Sequence, residues 1–200
     1  MALMRSLVPH DFEVARRLAD LSTQARAVFS ASCAERLYPS YALFAVKSGL
    51  GDAAALRSLL DQVWSHLLGD ARADLPVLEP GCEQLLPPDD PWIDESAAAD
   101  DAVASACYAL NCAITGDAKA AATSARRVCE AIDSHIIAAE SIDTTRRGAD
   151  TVVELHPMMR AEYRRQLRDL DALVDTPFRR SVIEEIRERA RQEASALFRR

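Results

Sequence analysis

Apolar residues along this chain recur at intervals of three and four rather than two, which is the spacing of one face of an α-helix. The clearest stripe is Leu56, Leu59, Leu60, Val63 and Leu67, and it predicts a helix over 53–68. Asp52 precedes it as an N-cap and Gly69 follows at the usual C-terminal position. The same spacing predicts a short helix over 11–20 and another over 22–37, with Val28, Phe29, Cys33 and Leu37 on its inner face. Pro39 pushes Tyr38 toward an extended backbone, so the second helix is expected to stop there. A short helix over 41–47 should follow and end at Gly49 and Gly51.

Between 70 and 92 the periodicity disappears. Pro76, Pro80, Pro87, Pro88 and Pro91 exclude a long helix there, although a single turn over 81–86 fits. Order returns over 94–115, where Val103, Cys107, Leu110 and Ile114 share a face. Gly116 ends that helix and Asp117 caps the next, over 117–140, which carries Ala121, Ala125, Val128, Cys129, Ile132 and Ile136. So short a connection makes the two helices antiparallel neighbours. Their facing alanines and cysteines let the axes approach closely, and this pair is expected to form the centre of the fold. After a polar loop over 141–148 containing Arg146 and Arg147, a helix over 157–174 buries Met159, Tyr163, Leu167, Leu170 and Val174. Thr176-Pro177 then reads as an N-cap followed by proline at the first helical position. The last helix carries Val182, Ile183, Ile186, Ala190, Ala194 and Leu197. The expected fold is all-α: one domain over 1–200, an irregular bundle of about seven helices with a central antiparallel pair, interrupted by an irregular segment at about 70–93.

Composition agrees with this reading. The chain has 200 residues, enough to bury a core without metal or disulfide staples, and 49% of them are apolar, too many for a disordered protein. Only 6 glycines and 6% aromatic residues, with abundant alanine, favour helix over sheet. The apolar run at the N-terminus is broken by Arg5 and Pro9, which is too short for the core of a signal peptide. No run of apolar residues is long enough to span a bilayer. The expected location is cytoplasmic, away from membranes. The five cysteines, Cys33, Cys82, Cys107, Cys112 and Cys129, are odd in number and form no Cys-x-x-Cys pair, so they are expected to be reduced, buried thiols.

Charge changes the picture more. The net charge is −7, but it is unevenly placed. Asp70, Asp74, Glu79, Glu83, Asp89, Asp90, Asp94, Glu95, Asp100 and Asp101 face a single base, Arg72, within one stretch. Part of this is ordinary: Asp94 and Glu95 favour the positive end of the helix dipole. The other reading is a docking surface for a basic partner, with Trp92 as an aromatic anchor among Asp89, Asp90, Asp94 and Glu95. The C-terminal end is Arg-rich, but acids are interleaved throughout, with spacings such as Glu185/Arg189 that suit a salt-bridged, solvated helix rather than a nucleic-acid interface.

Chemical signatures are missing. His10, His66, His135 and His156 never follow a glutamate by three residues, so the Glu-x-x-His pattern of a diiron bundle is absent. Neither a GxxxxGK phosphate loop nor a GxSxG nucleophile elbow occurs. No catalytic residue, cofactor site or metal ligand is therefore assigned. One local cluster, Glu35, Arg36, Tyr38 and Tyr41 around Pro39, has two open readings. It is either a packed structural corner or a recognition surface.

That cluster also carries a likeness. The run AERLYPSYALF, followed by SGLGD at 48–52 and LLDQVW at 59–64, resembles the YjaG-like family of uncharacterised bacterial proteins, domain of unknown function family 416. The similarity continues more weakly through 100–136. The resemblance implies an all-α protein of roughly this length, and it carries over no activity, cofactor or catalytic residue.

The expected function is that of a non-enzymatic protein-binding module for a basic partner. One form of it is an immunity or antitoxin-type protein that neutralises a toxin such as a nuclease. Two alternatives stand beside it: a homo-oligomeric structural or regulatory protein whose apolar C-terminal helix pairs with itself, and a small-ligand binder or enzyme built on the Glu35/Arg36/Tyr38/Tyr41 corner.

Overall fold

The longest buried run in the chain, residues 27–37, contains no exposed position. Apart from Glu35 and Arg36 its side chains are apolar or small, and such a helix must sit inside others, as this one does. A computed structural model describes residues 9–70, 74–174 and 179–197. In chain order its helices are α1 (Pro9–Asp20), α2 (Thr23–Ser48), α3 (Ala53–Leu68), α4 (Leu75–Cys82), α5 (Ser96–Thr115), α6 (Ala118–Glu140), α7 (Ala149–Leu155), α8 (Pro157–Val174) and α9 (Arg180–Leu197). A 3-10 turn, Glu83–Leu85, follows α4. Among the described residues the fold is all-helical, without strands. None of these helices is long and apolar enough to cross a membrane.

The helix inventory corrects the expected number of about seven. The two helices anticipated on either side of Pro39 are one continuous helix, α2. Pro39 removes one backbone donor but does not end the helix, because buried Leu37 before it and Tyr41 and Phe44 after it pack into the same core. Two short helices appear that periodicity missed. In α4, proline occupies the first turn, where its missing N–H costs nothing. The seven-residue α7 begins after Gly148 and stops before Pro157. The Thr176-Pro177 start signal lies outside the described residues.

The centre of the fold is α2, not the α5/α6 pair. It packs against α3, α5, α6, α8 and α9, most extensively against α5. The pair itself forms as expected. Ser105 Oγ lies 2.8 Å from Ser124 Oγ and Arg127 binds Asp101 at 3.1 Å, so the partner's number falls as the residue number rises, which is the mark of an antiparallel pair. Buried Ala99, Ala102, Ala106, Ala109, Ala121 and Ala125 keep the two axes close. Ser124 Oγ also reaches the Ser30 carbonyl at 3.1 Å, tying the pair to α2.

Local chemistry sets the ends. Ser22, Asp52 and Asp117 cap α2, α3 and α6 by accepting from the amides of Ala25, Ala55 and Lys119. Gly116 closes α5 at φ 71°, and a Cβ there would lie 2.5 Å from the Thr23 side chain. Only glycine fits on both counts. The Arg26 guanidinium gathers three carbonyls at helix ends: Leu18 at 2.7 Å, Ala19 at 2.8 Å and Gly116 at 3.1 Å.

Ile183, Ile186, Ala190 and Ala194 of α9 are buried, and the helix packs on α2 and α3. The apolar face considered for self-pairing is thus covered within the chain. Cysteine chemistry also departs from expectation. Cys82 at the end of α4 is disulfide-bonded to Cys107 in α5, whereas Cys33, Cys112 and Cys129 are free thiols. Sequence spacing could not show that the proline-rich segment turns α4 back onto α5.

Candidate functional site

The Glu35/Arg36/Tyr38/Tyr41 corner is an interior rather than a surface. Arg36 is 0% exposed, although its guanidinium is charged. It is held by two carboxylates of α8: Glu162, 3.0 Å away, and Asp169 at 2.9 Å. Ser32 Oγ at 3.4 Å and Cys33 Sγ at 3.3 Å complete its surroundings. Glu35, one residue earlier, points the other way. It accepts from Arg57 at 2.6 and 2.9 Å, from the Trp64 indole at 2.8 Å and from Arg191 at 3.1 Å. Tyr38 is half-buried, with the Arg57 guanidinium over its ring. Tyr41 is fully buried, donates to the Leu85 carbonyl at 2.7 Å and accepts from the Asp52 amide at 3.2 Å. The four side chains therefore serve three different contacts and form no common recognition face.

The network is larger than the sequence motif suggested. Asp169 also binds Arg189 at 2.9 Å. Asp61 of α3 receives Arg187 at 3.0 Å and Arg191 at 2.7 Å. Gln166 donates to Glu162 at 3.0 Å and pairs with His10 at 2.8 Å, and His10 stacks on Tyr163. The arginines of α9 are thus only partly the solvated set anticipated from their spacing. Arg189 does pair with Glu185 at 3.1 Å, yet Arg187, Arg189 and Arg191 also reach inward to bind α2, α3 and α8. A signal for this existed in α8. Glu162, Gln166 and Asp169 lie at helical spacing on the same buried face as Met159, Leu170 and Leu173.

This arrangement is suited to holding helices together. Each buried charge of this network faces an opposite one and a hydrogen-bond donor or acceptor, as an interior ion pair requires, although Glu162 Oε2 accepts no hydrogen bond and has only Arg165 at 3.6 Å. Burial pushes the Cys33 thiol up to about 12 against the pull of Arg36, which leaves it a protonated, unreactive group. Among the described residues no three His, Cys, Asp or Glu side chains converge as a metal site would need. Two surface cavities are present, the second of which touches the network at Gln166. One of about 330 Å³ is bordered by Gln24, His66 and the end of α5, and one of about 320 Å³ by Phe12, Lys119, Arg126 and Gln166.

The acidic segment behaves differently. Asp89, Asp90, Trp92 and Asp94 are exposed between the 3-10 turn and α5, and Trp92 is 58% exposed. Glu95 is half-buried and paired with Lys47 of α2. Of the ten acids counted along 70–101, three pair with a cation among the described residues: Asp70 with Arg180, Glu95 with Lys47 and Asp101 with Arg127. The other seven, including Asp89, Asp90 and Asp94, form no ion pair with any described residue. Asp101 is buried against Arg127, and burial raises its carboxyl to about 7 despite that partner.

Comparison with known proteins follows the fold. The family model described as "Protein of unknown function (DUF416)" matches residues 13–196. Uncharacterized protein YjaG of Escherichia coli (strain K12) is 33% identical over 72 residues, which is 36% of this chain and 37% of that protein. The aligned part thus spans little more than a third of that relative's length. A crystal structure of a DUF416 family protein from Shewanella baltica OS155 matches with a TM-score of 0.79 at 20% identity, covering 89% of this chain and 93% of the other. At that identity the likeness establishes the fold.

Proposed function

The chain belongs to the DUF416 family, and from that premise we propose that it is a protein-binding module whose acidic Trp92 loop docks a basic partner. The observation that carries this reading is an exposed tryptophan flanked by carboxylates that form no ion pair with any described residue, in contrast to the interior charges of α2, α3 and α8, which are paired with one another. Tryptophan supplies large contact area and is a frequent anchor of binding energy. Unpaired acids around it steer a basic partner and lose strength as salt rises. The immunity or antitoxin form of this reading places a basic toxin, such as a nuclease, on the loop. The cytoplasm is the compartment that goes with it. The two alternative functions lose the features that motivated them, since the α9 apolar face and the Glu35–Tyr41 corner are both engaged within the chain.

The test uses the intact protein as bait in extracts of its source cells at low and high salt. Any salt-sensitive partner is then purified and its affinity measured by titration calorimetry. Trp92→Ala should weaken that partner roughly thirtyfold or more, the effect of losing a ~2 kcal/mol hot spot. Asp89→Asn, Asp90→Asn and Asp94→Asn together should slow association and flatten its salt dependence. A partner that binds these variants and the parent protein equally well overturns the reading.

A further inference from the structure

We propose that Cys82 and Cys107 form a reversible thiol–disulfide switch that fixes the shape of the acidic loop when oxidised. Their Cα atoms lie 5.7 Å apart, the spacing a disulfide uses. The ring that the bond closes runs from the last residue of α4 into the middle of α5 and encloses Asp89, Asp90, Trp92 and Asp94. Little else organises that stretch. Among the described residues, 87–92 makes no hydrogen bond or ion pair. Its upstream end is held by the Tyr41 hydroxyl on the Leu85 carbonyl. Its downstream end is held by the Lys47–Glu95 pair and by Ser96 Oγ, which accepts from the Ile93 amide at 3.0 Å. Severing the disulfide removes the covalent restraint that spans the loop.

The two sulfurs differ in access, which orders the chemistry. Cys82 is buried and Cys107 is half-buried. In the dithiol form the Cys107 thiolate attacks one sulfur of a small-molecule disulfide such as oxidised glutathione. A mixed disulfide forms and one small thiolate leaves. The Cys82 thiolate then attacks Cys107 Sγ and expels the second small thiolate. Two protein thiols and one small disulfide become one protein disulfide and two small thiols, with the protein's two protons passing to the leaving thiolates. Reduction runs the same steps backward, with attack at the accessible Cys107 Sγ. Cys33, Cys112 and Cys129 are the internal controls. They lie outside the ring, and burial pushes the Cys33 and Cys112 thiols up to about 12. The chemistry of the switch is independent of the docking reading, and only its consequence for a partner rests on that reading.

The full-length protein is equilibrated over a series of reduced-to-oxidised glutathione ratios, quenched with an alkylating agent and mapped by mass spectrometry. Each sample is also treated with an endoproteinase that cleaves before aspartate, and quenching of Trp92 fluorescence is followed by subtracting a Trp92→Phe control. Alkylation of Cys82 and Cys107 should fall together across the series. Cleavage before Asp89, Asp90 and Asp94 should be roughly tenfold slower in the oxidised form, since local opening governs such cleavage. Cys107→Ser should cleave at the reduced rate at every ratio. The inference is overturned if Cys82 and Cys107 remain fully alkylated throughout, or if cleavage and quenching are the same in both forms. If the switch operates but a purified partner ignores Trp92, the docking reading falls and the switch stands.

Discussion

Arg36→Met removes a guanidinium from the centre of the molecule while keeping the length of the apolar stem. Two buried carboxylates lose their shared cation, but unequally. Asp169 retains Arg189 at 2.9 Å and Ser32 Oγ at 3.1 Å. Glu162, which is 0% exposed, retains only Gln166 at 3.0 Å and Arg165 at 3.6 Å. The loss therefore falls mainly on Glu162, and stranding one partner of a buried pair costs about 3–5 kcal/mol. That is a large share of the roughly 5–15 kcal/mol by which a domain is stable. Urea unfolding, read by far-UV circular dichroism and by the fluorescence of buried Trp64, measures it. Adding Glu162→Gln should return about 2 kcal/mol at neutral pH, a coupling of the size seen for residues in direct contact. The reasoning is refuted if Arg36→Met lies within about 1 kcal/mol of the parent at pH 7.5, or if Glu162→Gln makes it worse.

Other outcomes follow from the same structure. Gly116→Ala meets both a left-handed backbone and the Thr23 side chain, whereas Gly69→Ala at φ 74° meets open space. The first should cost about 1–3 kcal/mol and the second about 1 kcal/mol in thermal or urea unfolding. Equal losses would mean that the close approach to Thr23 is unimportant. Asp101 has a carboxyl raised by burial to about 7, well above its unfolded range. Its contribution is complete in acid and is lost as pH climbs through about 7. Relative to Asp101→Asn, the parent should lose on the order of 2–4 kcal/mol between pH 4 and pH 8. Parallel stability curves for the two proteins would refute this.

How much of this was visible in the residues differs from element to element. The helix over 53–68 coincides with α3 because its apolar stripe, Asp52 cap and Gly69 stop are all local signals. The same holds for the Gly116-Asp117 connection and for α8. The acidic loop and its exposed Trp92 were also legible, because prolines and uncompensated acids leave a segment little to bury. Other features depended on partners far along the chain. Pro39 reads as a helix terminator until the core on both sides of it is known. Arg36 and Glu162 are 126 residues apart, and Arg191 and Glu35 are 156 apart. In isolation each of these is a charged residue expected at the surface, and only the partner's arrival makes the burial of Glu35, Arg36 and Glu162 affordable.

The chain by itself determined that it would be helical, where most helices start and stop, and that prolines and acids would break the pattern after residue 70, although α4 occupies part of that stretch. Those properties depend on spacings of a few residues and on backbone chemistry at caps and prolines. Only the tertiary structure decided that α2 is the axis, that the Glu35–Tyr41 corner faces inward, and that Cys82 meets Cys107. Each of those follows from which distant surfaces meet, and no local pattern encodes that meeting.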